Sequence, residues 1–305
     1  MPGWTGAWAA ALLLLPLVAQ GGNSPAPFLW QVQGPKAVHY LLGSIHMLPA
    51  AAHPLPGALD SAYAATRGLV LEADLAALGE PEFQGRLLGA ARDDRPGGIK
   101  SSIGDKLYKK LQLRAASLGA PAPMCDAFRA WFCAVTLELL ALQGDGFLPE
   151  LGIDQHFYGR AREEGRPVIG LETADAQALL FTGLSESMSV AMLAATLDEL
   201  TSESQDPAEL LRMWQSSDVA ALEKMLADLR KRYPPIYARL LADRNRSWIP
   251  ELAALLEAET PQLVIVGAAH LPGPDGLLAL LKARGLKAQP VREMPAVSVP
   301  AEPVD

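Results

Sequence analysis

Short apolar runs bounded by Gly, Pro or charge alternate along this chain with long stretches of helical period. Residues 28–32 and 38–42 are two such runs joined at Gly34-Pro35, which predicts a strand hairpin. Residues 55–67 have helical spacing, and Gly68-Leu69-Val70-Leu71-Glu72 is a short apolar run that ends in acid. Residues 93–104 are rich in Gly, Asp and Pro and read as a loop. Helical periodicity dominates 106–164, with breaks near 120–123 and 144–146. Pro167-Val168-Ile169-Gly170-Leu171-Glu172 again ends an apolar run in acid, and helices follow over 174–258. Among them Asp206-Pro207-Ala208-Glu209 is a helix start: Asp as cap, Pro in the first position and Glu in the third. Gln262-Leu263-Val264-Ile265-Val266 is apolar on both faces, as a central strand is. A helix over 275–284 and a strand over 287–291 close the pattern. The fold class that follows is α/β of the mixed α+β kind. A central mixed sheet takes strands from both ends of the chain and packs against a large helical block.

Composition sharpens this in three ways. Aromatics are only 6% of the 305 residues, so Ala and Leu carry the apolar load, and both favour helix. The net charge is −8, and the largest basic cluster is Arg230-Lys231-Arg232; no nucleic-acid partner is expected. Residues 7–19 form an apolar run shorter than the ~20 residues of a membrane span. The run fits the core of a signal peptide over residues 1–20, with Ala19 near the cleavage point, although no Lys or Arg precedes it. The expectation is an exported, periplasmic protein with no stable membrane span after cleavage. Its folded domain would cover 25–294, and the Pro- and Val-rich 295–305 would be a disordered tail. Cys125 and Cys133 fall on one expected helix, ~12 Å apart, beyond disulfide reach. A turn just after Cys125 would reopen that question; otherwise they read as buried thiols.

The candidate chemistry lies at strand ends. Tyr40-Leu41-Leu42-Gly43-Ser44-Ile45-His46-Met47-Leu48-Pro49 matches Val264-Ile265-Val266-Gly267-Ala268-Ala269-His270-Leu271-Pro272-Gly273 in pattern. Each is an apolar strand, then Gly-x-x-His, then apolar residues and Pro. Glycine allows a tight exit from the strand, and the His then stands at the carboxyl rim where α/β sheets bind ligands. One such motif is weak, but two in a chain with five histidines is specific. Glu72 and Glu172 end their strands in the same manner. Each alone reads equally well as a solvated residue or a helix cap. Together the four ends offer two imidazoles and two carboxylates, a donor set that suits a divalent transition metal.

Seven segments then line up with a known family. They are Leu29-Trp30-Gln31-Val32, Gly43-Ser44-Ile45-His46, Leu69-Val70-Leu71-Glu72, Gly152-Ile153-Asp154-Gln155-His156-Phe157, Gly170-Leu171-Glu172-Thr173, Arg244-Asn245-Arg246-Ser247-Trp248 and Val266-Gly267-Ala268-Ala269-His270-Leu271-Pro272-Gly273. In this order, over most of 28–292, the chain resembles the TraB/GumN family of the Tiki-like metalloprotease superfamily. Ser44 stands where the family usually has Thr. The resemblance implies a divalent-metal hydrolase, with Mn or Co favoured and Zn compatible, acting on peptide bonds in the best-known branch. Other branches are esterase-like or bind haem or iron.

On this reading the metal ligands are His46, Glu72 and His270, with Glu72 also eligible as general base. Glu172 is the second candidate for base or ligand. Arg244 would polarise a carbonyl or hold a substrate carboxylate through its donor fork, or else be a surface Arg beside Asp243. Asp154 would cap a helix or reach the site. His156 reads as structural, and His39 and His53 stay outside the site. The partner expected is a peptide or small-molecule substrate. Gly-x-Ser-x-Gly and His-Glu-x-x-His are absent. The alternative in another class is a non-catalytic periplasmic protein that binds a peptide, metal or haem through the same residues. A second is an assembly factor for exopolysaccharide export, for which the sequence has no carbohydrate-specific feature.

Overall fold

A computed structural model describes residues 23–200 and 207–295. The strands are β1 (Asn23–Gln33), β2 (Val38–Ser44), β3 (Leu48–Pro49), β4 (Gly68–Ala73), β5 (Phe147–Leu148), β6 (Val168–Glu172), β7 (Gln262–Gly267) and β8 (Ala288–Pro295). The helices of the first half are α1 (Gly57–Ala64), α2 (Leu75–Gly79), α3 (Pro81–Ala91), α4 (Gly98–Ser117), α5 (Ala130–Gly144) and α6 (Ile153–Glu163). Those of the second half are α7 (Ala174–Thr182), α8 (Glu186–Glu199), α9 (Pro207–Gln215), α10 (Val219–Arg232), α11 (Pro234–Tyr237), α12 (Asp243–Glu257) and α13 (Leu277–Ala283).

Six strands form one sheet in the order β6-β4-β7-β2-β1-β8. β6, β4, β7 and β2 run parallel, while β1 pairs antiparallel with both β2 and β8. The mixed sheet, with strands from both ends of the chain and a helical block beside it, is the architecture the apolar pattern predicts. β7 is central because every side chain from Leu263 to Val266 is fully buried. Each such side chain contributes on the order of 1.5–3 kcal/mol through burial. Helices α1, α6, α9, α12 and α13 pack on this sheet. A second core lies in the helical block, where α4, α5 and α8 enclose Ile99, Leu111, Leu137, Leu193 and Leu197.

Local differences from the expected pattern have physical causes. Helix α4 begins at Gly98, inside the segment read as a loop. Gly97, Gly98 and Gly104 take positive φ there, and a Cβ on Gly98 would collide with the Asp126 carbonyl. Glycine thus permits the close docking that lets Ile99 bury and start a helix. Cys125 and Cys133 are not on one helix: Cys125 ends a 3-10 turn, and Cys133 sits in α5 with its Sγ 3.7 Å from the Cys125 carbonyl. The turn is present, yet both thiols are free and buried. Strand β8 runs on past Val291, so that Pro295 faces Asn23 across the ladder. The expected signal peptide, the Asp206 cap and the tail beyond Pro295 lie outside the described residues. Among the described residues no single helix is long and apolar enough to cross a membrane.

Candidate functional site

The parallel strands bring the two Gly-x-x-His motifs side by side. Gly43 pairs with Val266 and Ser44 with Gly267, so both histidines leave the same rim of the sheet. The approach is close: a Cβ on Gly43 would stand 3.0 Å from the Ala268 Cα and 2.9 Å from Leu271 Cδ1. On the other flank of β7, β4 delivers Glu72, and β6 delivers Glu172 opposite Ala73. The rim therefore carries two carboxylates and two imidazoles within one row of strand ends.

The distances confirm contact. Glu72 Oε1 is 3.8 Å from His46 Nε2 and 3.6 Å from His270 Nε2. It also accepts the Gly267 backbone N–H at 2.7 Å. Arg244, from the first turn of α12, enters from the side. Its Nη2 donates to Glu72 Oε2 at 2.5 Å and to Glu172 Oε1 at 2.6 Å, and its Nη1 lies 3.1 Å from His270 Nε2. A π-helical turn at Ala238–Ala242 precedes it, and Arg244 Nη1 also donates to the Leu240 carbonyl of that turn at 3.3 Å. Such turns recur at functional sites. The guanidinium rests over the Trp248 ring at 4.6 Å, while Trp248 Nε1 donates to Glu172 Oε2 at 3.2 Å. Arg244 is thus buried in the site; the surface partner of Asp243 is Arg246.

Each histidine is oriented from behind. His46 Nδ1–H donates to Asp154 Oδ2 at 2.8 Å, and Ser44 Oγ donates to Asp154 Oδ1 at 3.0 Å. Asp154 reaches the site because Gly152 lets α6 start against the His46 backbone: a Cβ there would fall 2.1 Å from the His46 carbonyl. His270 Nδ1–H donates to Asn245 Oδ1 at 2.6 Å. The Asn245 amide nitrogen is committed to the His270 and Asp275 carbonyls, which fixes which way the amide faces. Both imidazoles therefore present Nε2 to Glu72.

The electrostatics differ across the pair. The Asp154 charge lifts the His46 imidazole to about 9, a pull that solvent softens because 60% of that side chain is exposed. Burial drives His270 down to about 4, so it is neutral at pH 7. Burial alone would raise the Glu72 carboxyl, but His270, His46, Arg244 and the Gly267 N–H together hold it at about 2.

Among the described residues no group of three or more His, Cys, Asp or Glu stands at metal-ligating spacing. The donor chemistry nevertheless fits a divalent ion. Ligands held at ~2.1 Å in a tetrahedral array are about 3.4 Å apart, a few tenths of an ångström closer than the spacings around Glu72 Oε1. A Cβ on Gly267 would meet His46 Nε2 at 3.1 Å, Glu72 Oε1 at 3.2 Å and His270 Cδ2 at 3.6 Å. Glycine there keeps a methyl group from crowding all three candidate ligands. The orienting bonds from Asp154 and Asn245 are the kind that accompany metal-ligating histidines.

A profile of the TraB/PrgY/gumN family matches residues 28–290. The chain belongs to the TraB/PrgY/gumN family. It is similar to the uncharacterized protein YbaP of Escherichia coli (strain K12), 26% identical over 248 residues, which cover 80% of this chain and 87% of that protein. The YbaP of Shigella flexneri gives the same figures. No solved structure gives a significant match. Within this family member, all five singled-out residues, His46, Glu72, Glu172, Arg244 and His270, meet in one site. Asn245, Trp248 and Gly267 join them without having been given roles from the sequence; their signal was membership of the same short motifs. His156 instead packs against Phe157 and His53, and His53 Nε2 meets the Leu151 carbonyl. His39 is buried in β2, where its Nδ1 accepts the Gln262 N–H.

Proposed function

We propose that this protein is a divalent-metal-dependent hydrolase of carbonyl-centred bonds. The observation that supports the reading is that Glu72 Oε1 lies 3.8 Å from His46 Nε2 and 3.6 Å from His270 Nε2, with both imidazoles oriented from behind. A divalent ion held by His46, Glu72 and His270 would supply a Lewis acid and ease deprotonation of water at neutral pH. The family resemblance favours Mn or Co, and the set of two imidazoles and one carboxylate is equally compatible with Zn.

The protein's own residues do the rest. Asp154 and Asn245 hold the two imidazoles in the tautomer that turns Nε2 inward. Glu72, charged at neutral pH, serves as the carboxylate ligand. Glu172, with both oxygens taken by Arg244 and Trp248, positions the guanidinium. Arg244 would polarise the substrate carbonyl by exchanging one of its five N–H bonds, which are held by Glu72, Glu172, His270 and the Leu240 carbonyl. The apolar N-terminal run supports export as part of the same proposal, and cell fractionation checks it.

The test is metal content and turnover of purified protein on peptide and ester panels, with and without Mn²⁺. His46→Ala and His270→Ala are expected to lose bound metal and at least about a hundredfold in kcat/KM. Turnover that survives chelation, or that both variants retain, overturns the reading. Metal or haem binding without turnover would favour the non-catalytic alternative.

A further inference from the structure

The site floors a cleft of about 870 Å³, toward the upper end of the ~300–1,000 Å³ of small-molecule sites. Its floor is charged and its body is not. Besides His46, Glu72 and Arg244, no lining side chain carries charge at pH 7. The walls come from Phe83, Trp131, Phe132, Val135, Leu139 and Phe181, with Leu210 and Met225 at the side. Leu139 and Leu210 are each 41% exposed and Met225 38%. Large apolar side chains left open around one concavity mark a binding surface.

The cleft body also offers few hydrogen-bond partners. Gln84 donates to the Leu78 carbonyl, Thr136 to the Phe132 carbonyl of its own helix and Trp214 to the Gly43 carbonyl, which leaves the Gln177 amide and the buried Trp131 Nε1–H as the polar groups of the walls. An extended peptide brings an N–H and a C=O for every residue, and burying them unpaired along these walls is costly. An alkyl chain brings none. An uncharged cleft with a charged end is complementary to an amphiphile with one polar head.

We infer that the cleft takes a single long acyl chain, so that the substrate is a long-chain carboxylic ester whose carbonyl reaches the floor. This rests on the hydrolase reading and names its substrate class. The water oxygen bonds to the carbonyl carbon, the bond to the alcohol oxygen breaks, and one water proton passes to that alkoxide while the acid leaves as its carboxylate and a proton. The peptide-bond expectation attached to the family resemblance is the outcome this inference opposes.

Two measurements on the full chain test it. Calorimetric titration with the primary amides of octanoate through myristate, uncharged and not hydrolysed as esters, reads the cleft alone. Affinity is expected to rise about two- to fourfold per methylene. Leu139→Glu, at a wall position already 41% exposed, is expected to weaken myristoyl amide binding at least about tenfold. Affinity independent of chain length, or a blocked tri-leucine peptide binding more tightly than the myristoyl amide, overturns the inference. Hydrolysis of p-nitrophenyl acetate through palmitate separates the two readings. Graded binding without ester turnover in Mn²⁺ supports the acyl cleft and removes the hydrolase. Turnover with binding insensitive to chain length keeps the hydrolase and overturns the acyl cleft.

Discussion

The two Gly-x-x-His loops are nearly the same in sequence and opposite in state. His46 faces the open cleft, leans on a carboxylate, and is raised to about 9. His270 is buried, leans on an amide, and is lowered to about 4. Strand, glycine and spacing put both rings at the same rim. What separates them arrives from elsewhere in the chain: Asp154 on α6 for one, Asn245 and Trp248 on α12 for the other. A repeated motif therefore specifies position, while its neighbours specify charge.

The largest effect is expected where the two loops share a wall. Gly267→Ala keeps allowed backbone angles, since φ is −50°, but its methyl would stand 3.1 Å from His46 Nε2, 3.2 Å from Glu72 Oε1 and 3.6 Å from His270 Cδ2. Elemental analysis should find Mn²⁺ binding abolished with the unfolding temperature close to that of the parent. Normal stoichiometry would remove the Gly267 side of the three ligands as the face a metal occupies.

Next come the orienting partners. Asp154→Asn and Asn245→Ala should each weaken metal binding by about 10–100-fold, read by competition with a chelating dye. If only one does so, the loops are unequal in ligation as well as in charge.

The apo protein's pH dependence sharpens the contrast further. His46, raised above its ordinary 6.5 to about 9, adds stability that is complete below 6.5 and lost as pH rises through 9. His270, lowered to about 4, adds stability present above 6.5 and lost as pH falls through 4, because the unfolded chain takes up a proton there first. Denaturant titrations should show Asp154→Asn flattening the alkaline slope and His270→Gln the acid slope. The opposite assignment of slopes would reverse the comparison.

The smallest effect separates the Trp248 ring from its N–H. Trp248→Phe keeps an aromatic ring against His270 and beneath Arg244 but loses the bond to Glu172. A stability loss of about 0.5–1.5 kcal/mol is expected by denaturant unfolding, with the His270 titration unmoved.

Much of this was legible beforehand. The hairpin, the central β7 and the Glu-terminated β4 and β6 follow from runs of apolar residues ended by Gly or acid, a signal local to each strand. The same signal placed His46, His270, Glu72 and Glu172 each at the end of a strand. Arg244 was ambiguous because a helix periodicity does not say which neighbour its side chain meets. Asp154 had two readings for the same reason, and Gly152 decided between them by letting α6 touch the His46 backbone. The start of α4 was missed because Gly-rich composition looks like a loop until tertiary docking makes it a helix entry.

By itself the sequence determined the family, the mixed sheet and the strand-end positions of the candidate ligands, because these depend on local spacing and period. Only the tertiary structure decided that the four ends converge, that Arg244 bridges both glutamates, and that one histidine is charged while its counterpart is neutral. Those properties depend on distance and burial between segments remote in the chain, and neither is encoded in any single stretch of it.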